Sequence, residues 1–244
     1  MNNVAKLHSP LFRGGWGGLR GWSGLRGGGG LRPLLLLTAM MALTAFAQAN
    51  QDVYYVRRAT LFEQLPVGKK DIIMLGNSLT DGAEWNELMR NSHVKNRGIV
   101  GDIIQGYYER MEPILKGQPK KIFILGGVND VSHDVSGDSI ARAMEKLIVL
   151  IKTRSPRTKI YLQSMLPFNN EVRLWKYLKD REQVVVDGNR ALEQVARRQG
   201  VTWIDLYPLF VDENGRLKTE YTNDGLHLLG PAYLIWRDAI KPFF

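Results

Sequence analysis

From about residue 70 onward, short apolar runs alternate with amphipathic stretches. Ile72-Ile73-Met74-Leu75 is continuously apolar and reads as a buried strand. A weaker run over 94–99 predicts a second strand. Lys121-Ile122-Phe123-Ile124-Leu125 predicts a third, nearly all apolar, as a strand covered on both faces would be. Runs over 159–164 and 201–206 predict a fourth and a fifth. Between them the period changes. Ile140, Met144, Leu147, Ile148 and Ile151 share one helical face. Val184, Val185, Leu192, Val195 and Ala196 share another, which Gly200 stops. Residues 231–240 read as a closing helix. Residues 50–69 form a lead-in whose Tyr54, Tyr55, Leu61, Phe62 and Leu65 predict a short helix packing on the domain. Strand–helix alternation implies an α/β fold with a parallel sheet and helices on both faces, over 70–244. In such folds ligands bind beyond the carboxyl ends of the strands. Ser78, Gly101, Asn129, Ser164 and Pro167 all fall there.

Residues 1–49 follow a different pattern. They carry Lys6, Arg13, Arg20, Arg26 and Arg32 and no acidic residue, then an apolar run over 34–46, then Ala47-Gln48-Ala49. A basic stretch, a short apolar core and a small-residue site make a secretory signal, cleaved near residue 49, so the protein is expected to be secreted or periplasmic. The alternative is an uncleaved anchor, for which the run is short. A start codon further downstream would also fit the long basic stretch.

Removing that segment changes the charge. The chain has 33 basic and 24 acidic residues, a net of +9. Without residues 1–49 the balance is 28 against 24, or +4, with no basic cluster interleaved with aromatics. Nucleic acid is therefore not an expected partner. The oligomeric state is not legible. There is no cysteine, which excludes disulfides, thiolate metal sites and a cysteine nucleophile. His93, His133 and His227 remain after the leader, none at a metal-ligand spacing, so neither a metal nor a cofactor is expected.

Three residue types with linked chemistry remain. Ser78 follows the first strand, and Asp224 and His227 lie three residues apart near the C-terminus. A serine hydroxyl is a poor nucleophile until an adjacent base takes its proton, and the base needs an orienting acceptor. The bland readings stand beside this one. A serine after a strand is often only a helix cap, and Asn129-Asp130 or Asp224-Gly225 can be ordinary turns. His93 and His133 read as surface or structural, Asp102 and Asp130 as structural. Met165, Phe168, Trp175 and Tyr177 either line a substrate pocket or pack in the core.

Four blocks resemble the SGNH (GDSL-type) hydrolases, and within them the platelet-activating-factor acetylhydrolase-like subgroup. They are Gly76-Asn77-Ser78-Leu79, Asn96-Arg97-Gly98-Ile99-Val100-Gly101-Asp102, Gly127-Val128-Asn129-Asp130 and Asp224-Gly225-Leu226-His227. Trp85-Asn86-Glu87-Leu88 matches the Trp-x-x-Leu that follows the serine in that subgroup. Asn77 departs from the family's usual Asp. The resemblance covers about 70–235 and implies a flavodoxin-like three-layer sandwich on a five-stranded parallel sheet. It implies a serine esterase with catalytic Ser78, Asp224 and His227 and an oxyanion hole formed by Ser78, Gly101 and Asn129. The implied substrate is a small-molecule or glycan ester, with an acetylester expected first and a lysophospholipase or acyl-thioesterase activity as the alternative. A non-catalytic binding module and a flavodoxin-like electron carrier are the readings from other classes. The chain keeps both serine and histidine, against the former. It lacks a Ser/Thr-rich phosphate loop after the first strand, against the latter.

Overall fold

A computed structural model describes residues 53–244; the leader and cleavage site expected over 1–49 lie outside the described residues. The first element is helix α1 (Val53–Gln64). Strands β1 (Ile72–Gly76), β2 (Val94–Gly98), β3 (Lys121–Leu125), β4 (Lys159–Gln163) and β5 (Thr202–Ile204) follow. They form one parallel sheet in the order β2-β1-β3-β4-β5. That is the flavodoxin-like order, with its switch point between β1 and β3.

Alternation along each strand builds the two outer layers. Ile73 and Leu75 of β1, Ile122 and Ile124 of β3, and Ile160 and Leu162 of β4 join one core. Helices α7 (Gly137–Arg154) and α8 (Glu182–Gln199) cover that face with Ile140, Met144, Leu147, Ile148, Val185, Leu192 and Val195. Ile72, Met74, Phe123, Leu125 and Tyr161 point the other way, into a second core under α10 (Gly230–Ile240). There Trp236 is fully buried and its indole N–H donates to Gln163 Oε1 at 2.7 Å, tying α10 to β4. Trp85 stacks edge-on against Trp236, with ring centroids 4.9 Å apart.

One strand is much shorter than its sequence pattern. The fifth, expected over 201–206, keeps hydrogen-bonded strand geometry only over Thr202–Ile204. The buried Ser164 hydroxyl accepts from the amides of Leu206 and Tyr207, both at 2.9 Å, and so turns the chain away from the ladder. Ser164, which falls at a strand's carboxyl end, is thus a structural residue. The lead-in helix forms as expected and buries Phe62, but Leu61 and Leu65, expected to pack with it, are exposed. The Tyr54 hydroxyl donates to Asp81 Oδ2 at 2.7 Å, which docks α1 beside the Ser78 turn.

Candidate active site

Ser78 opens the four-residue helix α2 (Ser78–Asp81) directly after β1. Asn77 caps that helix: its Oδ1 accepts from the Leu79 amide at 3.0 Å. The turn is tight because Gly76 leaves room for Thr80. A Cβ at residue 76 would stand 2.0 Å from Thr80 Oγ1. Asn77 is fully buried, and its Nδ2 has no partner. A carboxylate there would keep the capping acceptor but place a charge in the interior, so the amide is the neutral solution at the expense of an orphaned donor.

The second part is the loop Asp224–His227. Asp224 Oδ1 accepts from the amides of Leu226 and His227 at 2.9 and 2.8 Å, which wraps the loop around the carboxylate. Gly225 sits at φ +81°, and a Cβ there would meet the Asn169 carbonyl oxygen at 2.0 Å, so only glycine fits. Asp224 Oδ2 lies 2.7 Å from His227 Nδ1, and His227 Nε2 lies 3.0 Å from Ser78 Oγ. An ionised carboxylate only accepts, so Nδ1 carries the hydrogen and Nε2 is left to accept from the serine hydroxyl. Desolvation pushes the Asp224 carboxyl up, but the hydrogen bonds from the His227 side chain and from the His227 and Leu226 amides outweigh it. The net shift is downward, and the carboxylate form is favoured.

Gly101 lies in the turn after β2, at φ +77°. A Cβ there would meet nothing within 4 Å, so the left-handed backbone, rather than crowding by the protein, selects glycine. Asn129 sits in helix α6 (Val128–Ser132), and its Nδ2 donates to the Asp102 carbonyl at 2.9 Å. That bond uses one of the two amide hydrogens and leaves the other free. Among the described residues, neither the Ser78 nor the Gly101 amide donates to a protein acceptor. Asn96 joins the pieces. Its Nδ2 is within 2.9–3.1 Å of the carbonyls of Thr80, Asp81 and Ala83, and its Oδ1 accepts from Gly98 N at 2.7 Å.

The residues of less certain role divide cleanly. Met165 and Phe168 are buried in the core, and Tyr177 is 79% exposed. Trp175 belongs to the site. Its indole N–H donates to the Asp224 carbonyl at 2.7 Å, and its ring stands nearly perpendicular to the His227 imidazole, 5.7 Å between centroids. His93 pairs with Asp71 at the opposite end of β1. His133 is exposed, but its Nδ1 lies 2.7 Å from the Asn129 carbonyl, on the outer side of α6. Asp102 and Asp130 are both buried. Desolvation pushes Asp102 up to about 6 against the pull of Arg110, and pushes Asp130 up to about 7.

The chain has relatives among known proteins and solved structures. Platelet-activating factor acetylhydrolase IB subunit alpha2 of Homo sapiens is 26% identical over 170 residues, covering 67% of this chain and 71% of that protein. Among solved structures, a Streptococcus pneumonia protein designated a platelet activating factor superposes with a TM-score of 0.72 at 27% identity, over 85% of this chain and 98% of its own. A GDSL-like lipase from Bacteroides thetaiotaomicron follows with a TM-score of 0.67 at 26% identity, over 78% and 96%. The sequence model of the GDSL-like lipase/acylhydrolase family matches residues 74–233, from the middle of β1 to the buried Tyr233 of α10. With the parallel sheet and its order in agreement, this chain is a member of the GDSL-like lipase/acylhydrolase (SGNH hydrolase) family, a hydrolase of ester bonds.

Proposed function

We propose that this protein is an exported serine esterase whose nucleophile is Ser78, whose general base is His227 and whose orienting acid is Asp224. The observation that carries the reading is the continuous chain from Ser78 Oγ through His227 to Asp224, at 3.0 and 2.7 Å. Ser78 Oγ attacks the acyl carbonyl carbon as its proton passes to His227 Nε2. The resulting imidazolium is stabilised by the Asp224 carboxylate. Negative charge moves to the carbonyl oxygen, where the Ser78 amide, the Gly101 amide and the free Nδ2 hydrogen of Asn129 are its donors. Such donors act mainly on the transition state, because the charge they meet develops there. The tetrahedral intermediate collapses, the leaving alkoxide takes the proton from His227, and the acyl group stays on Ser78. A water molecule, deprotonated by the same imidazole, then releases the acid.

For the substrate we propose a short acyl group, acetyl first, on a sugar or another polar alcohol. Two observations support it. The curated relatives at 24–26% identity are acetylhydrolases by name. The segment beside His227 carries Glu171, Arg173, Lys176, Lys179, Asp180, Arg181 and Glu182, and burying such charge against a hydrocarbon chain would be costly. A second reading, lysophospholipase or acyl-thioesterase, has its own observation. Val172, Leu174 and Tyr177 of the same segment are 36%, 54% and 79% exposed. Specificity constants for acetyl, butyryl, octanoyl and palmitoyl p-nitrophenyl esters, alongside O-acetylated sugars, decide between them. The acetyl reading predicts a maximum at acetyl and release of acetate from the sugars. A maximum at octanoyl or longer, with the sugars untouched, would replace it with the lipid reading.

Export rests on the basic and apolar pattern of residues 1–49 alone. N-terminal sequencing of periplasmic or secreted protein should begin near residue 50. An intact Met1 on soluble cytoplasmic protein would overturn it.

A further inference from the structure

One buried guanidinium bonds to the segments that carry two of the proposed oxyanion donors and, through Asp102, reaches the third. Arg110 follows helix α4 (Ile104–Glu109), and its side chain is only 5% exposed. Its Nε donates to Asp102 Oδ2 at 2.7 Å, its Nη1 to the Arg97 carbonyl at 2.9 Å and its Nη2 to the Gly76 carbonyl at 3.1 Å. Gly76 lies two residues before Ser78. Arg97 is in β2, whose end feeds the Gly101 turn, and Asp102 is the next residue after Gly101. The main-chain oxygen of Asp102 accepts from Asn129 Nδ2. We infer that Arg110, through Asp102, is the positioning residue that holds the Ser78, Gly101 and Asn129 donors in one register.

The chemistry suits arginine alone. Three acceptors diverge around one planar group, and a guanidinium presents rigid N–H vectors in that plane. An ammonium would sit near one or two of the acceptors at a time. The carboxylate of Asp102 is fully buried and its Oδ1 has no hydrogen-bond partner, so the Arg110 charge is its main compensation. Burial pushes the Asp102 carboxyl up to about 6 even so. The Arg110 side chain also stands over the Tyr107 ring, 5.2 Å from its centroid, which fixes the plane of the fork. The Tyr107 hydroxyl in turn donates to the Leu125 carbonyl at 3.2 Å, at the end of β3 before Asn129. No other described side chain joins the ends of β1 and β2 to the Gly101–Asp102 turn in this way.

This inference rests on the oxyanion-donor assignment of the proposed function, so the experiment tests the two separately. Ser78→Ala is the control for the mechanism: retained turnover would refute the serine mechanism itself. With that activity abolished, Arg110→Lys is compared with wild type. The lysine keeps the buried positive charge but not the three-way fork. The expected result is a folded protein, by its circular dichroism and cooperative melting, whose kcat falls roughly a hundredfold while KM changes less than about threefold. The loss should also be largely absent in an Asn129→Ala background, because both substitutions disturb the same donors. Asp102→Asn, of equal size, is the second variant. It keeps an acceptor for Arg110 Nε and should lower kcat in the same direction by less. An unchanged kcat in a folded Arg110→Lys protein, a loss confined to KM, or full multiplicative effects with Asn129→Ala would overturn the inference. Should the lysine variant not fold, Asp102→Asn decides: a wild-type kcat refutes the positioning role and a kcat loss at constant KM supports it.

Discussion

At the scale of single residues, geometry and conformation separate what each side chain must be from what it merely is. Asp224 uses both oxygens, one for two loop amides and one for the His227 ring. Asp224→Asn keeps its size but can present N–H toward Nδ1, which favours the wrong imidazole tautomer. It should therefore lower kcat by roughly 10⁴-fold with the melting temperature nearly unchanged. A loss under tenfold would mean that the histidine does not need the carboxylate. Gly101 gives the complementary case. Its φ of +77° disfavours any Cβ, yet nothing lies within 4 Å of where one would be. Gly101→Ala should cost about 1–2 kcal/mol in urea unfolding, the left-handed penalty alone. A cost above about 4 kcal/mol would reveal a clash that the backbone geometry does not contain. The blocks around Ser78, Gly101, Asn129 and Asp224–His227 were legible as candidates because each is a contiguous run whose local turn places its own candidate atom. Arg110 was not, and Trp175 was legible only as a residue of either a substrate pocket or the core, without its bond to Asp224. Their partners Gly76 and Asp224 are 34 and 49 residues away, and no local pattern announces such contacts.

At the scale of elements, short helices are held by side chains from their neighbours rather than by their own length. Helix α4 has six residues and no side-chain cap of its own. The carboxylate of Asp130, in α6, lies 3.4 Å from the Ile104 amide at its start. Asp130 is 6% exposed, and burial pushes its carboxyl up to about 7. A raised folded value means that the folded protein holds this proton more tightly than the unfolded chain does. Its contribution favours folding below the ordinary carboxyl range and is lost as pH rises through about 7. Asp130→Asn keeps a neutral acceptor and removes that loss. Between pH 5 and pH 8 its stability should therefore gain on wild type by on the order of 2 kcal/mol, read from denaturant titrations at both pH values. A gap that is constant, or that moves the other way, would show that the carboxyl is ionised in the fold throughout. The strands teach a related lesson. β1 and β3 match their apolar runs because both faces are covered. β5 is shorter than its pattern because the Ser164 hydroxyl, from β4's end, captures the amides of Leu206 and Tyr207. A hydroxyl's choice of partner across 42 residues is invisible in the periodicity of either strand.

At the scale of the molecule, the sheet order places Ser78 after β1 and Asn129 after β3, on either side of the topological switch point. Gly101, after β2, closes the other flank, and the Asp224–His227 loop arrives from the far end of the chain just before α10. The fold thus gathers four separated blocks at the carboxyl edge of one sheet, and two packed cores beneath hold that edge in place. Strand–helix alternation made the class of fold legible; the strand order depended on the family resemblance, since apolar runs carry no neighbour information. The central claim is that this edge presents one activated serine. The most direct measurement is mass spectrometry of the protein after reaction with a fluorophosphonate. The expected result is a single adduct on Ser78, formed far more slowly in His227→Ala and absent in Ser78→Ala, which also loses esterase turnover. An adduct on another residue, or turnover that survives Ser78→Ala in a folded protein, would contradict it.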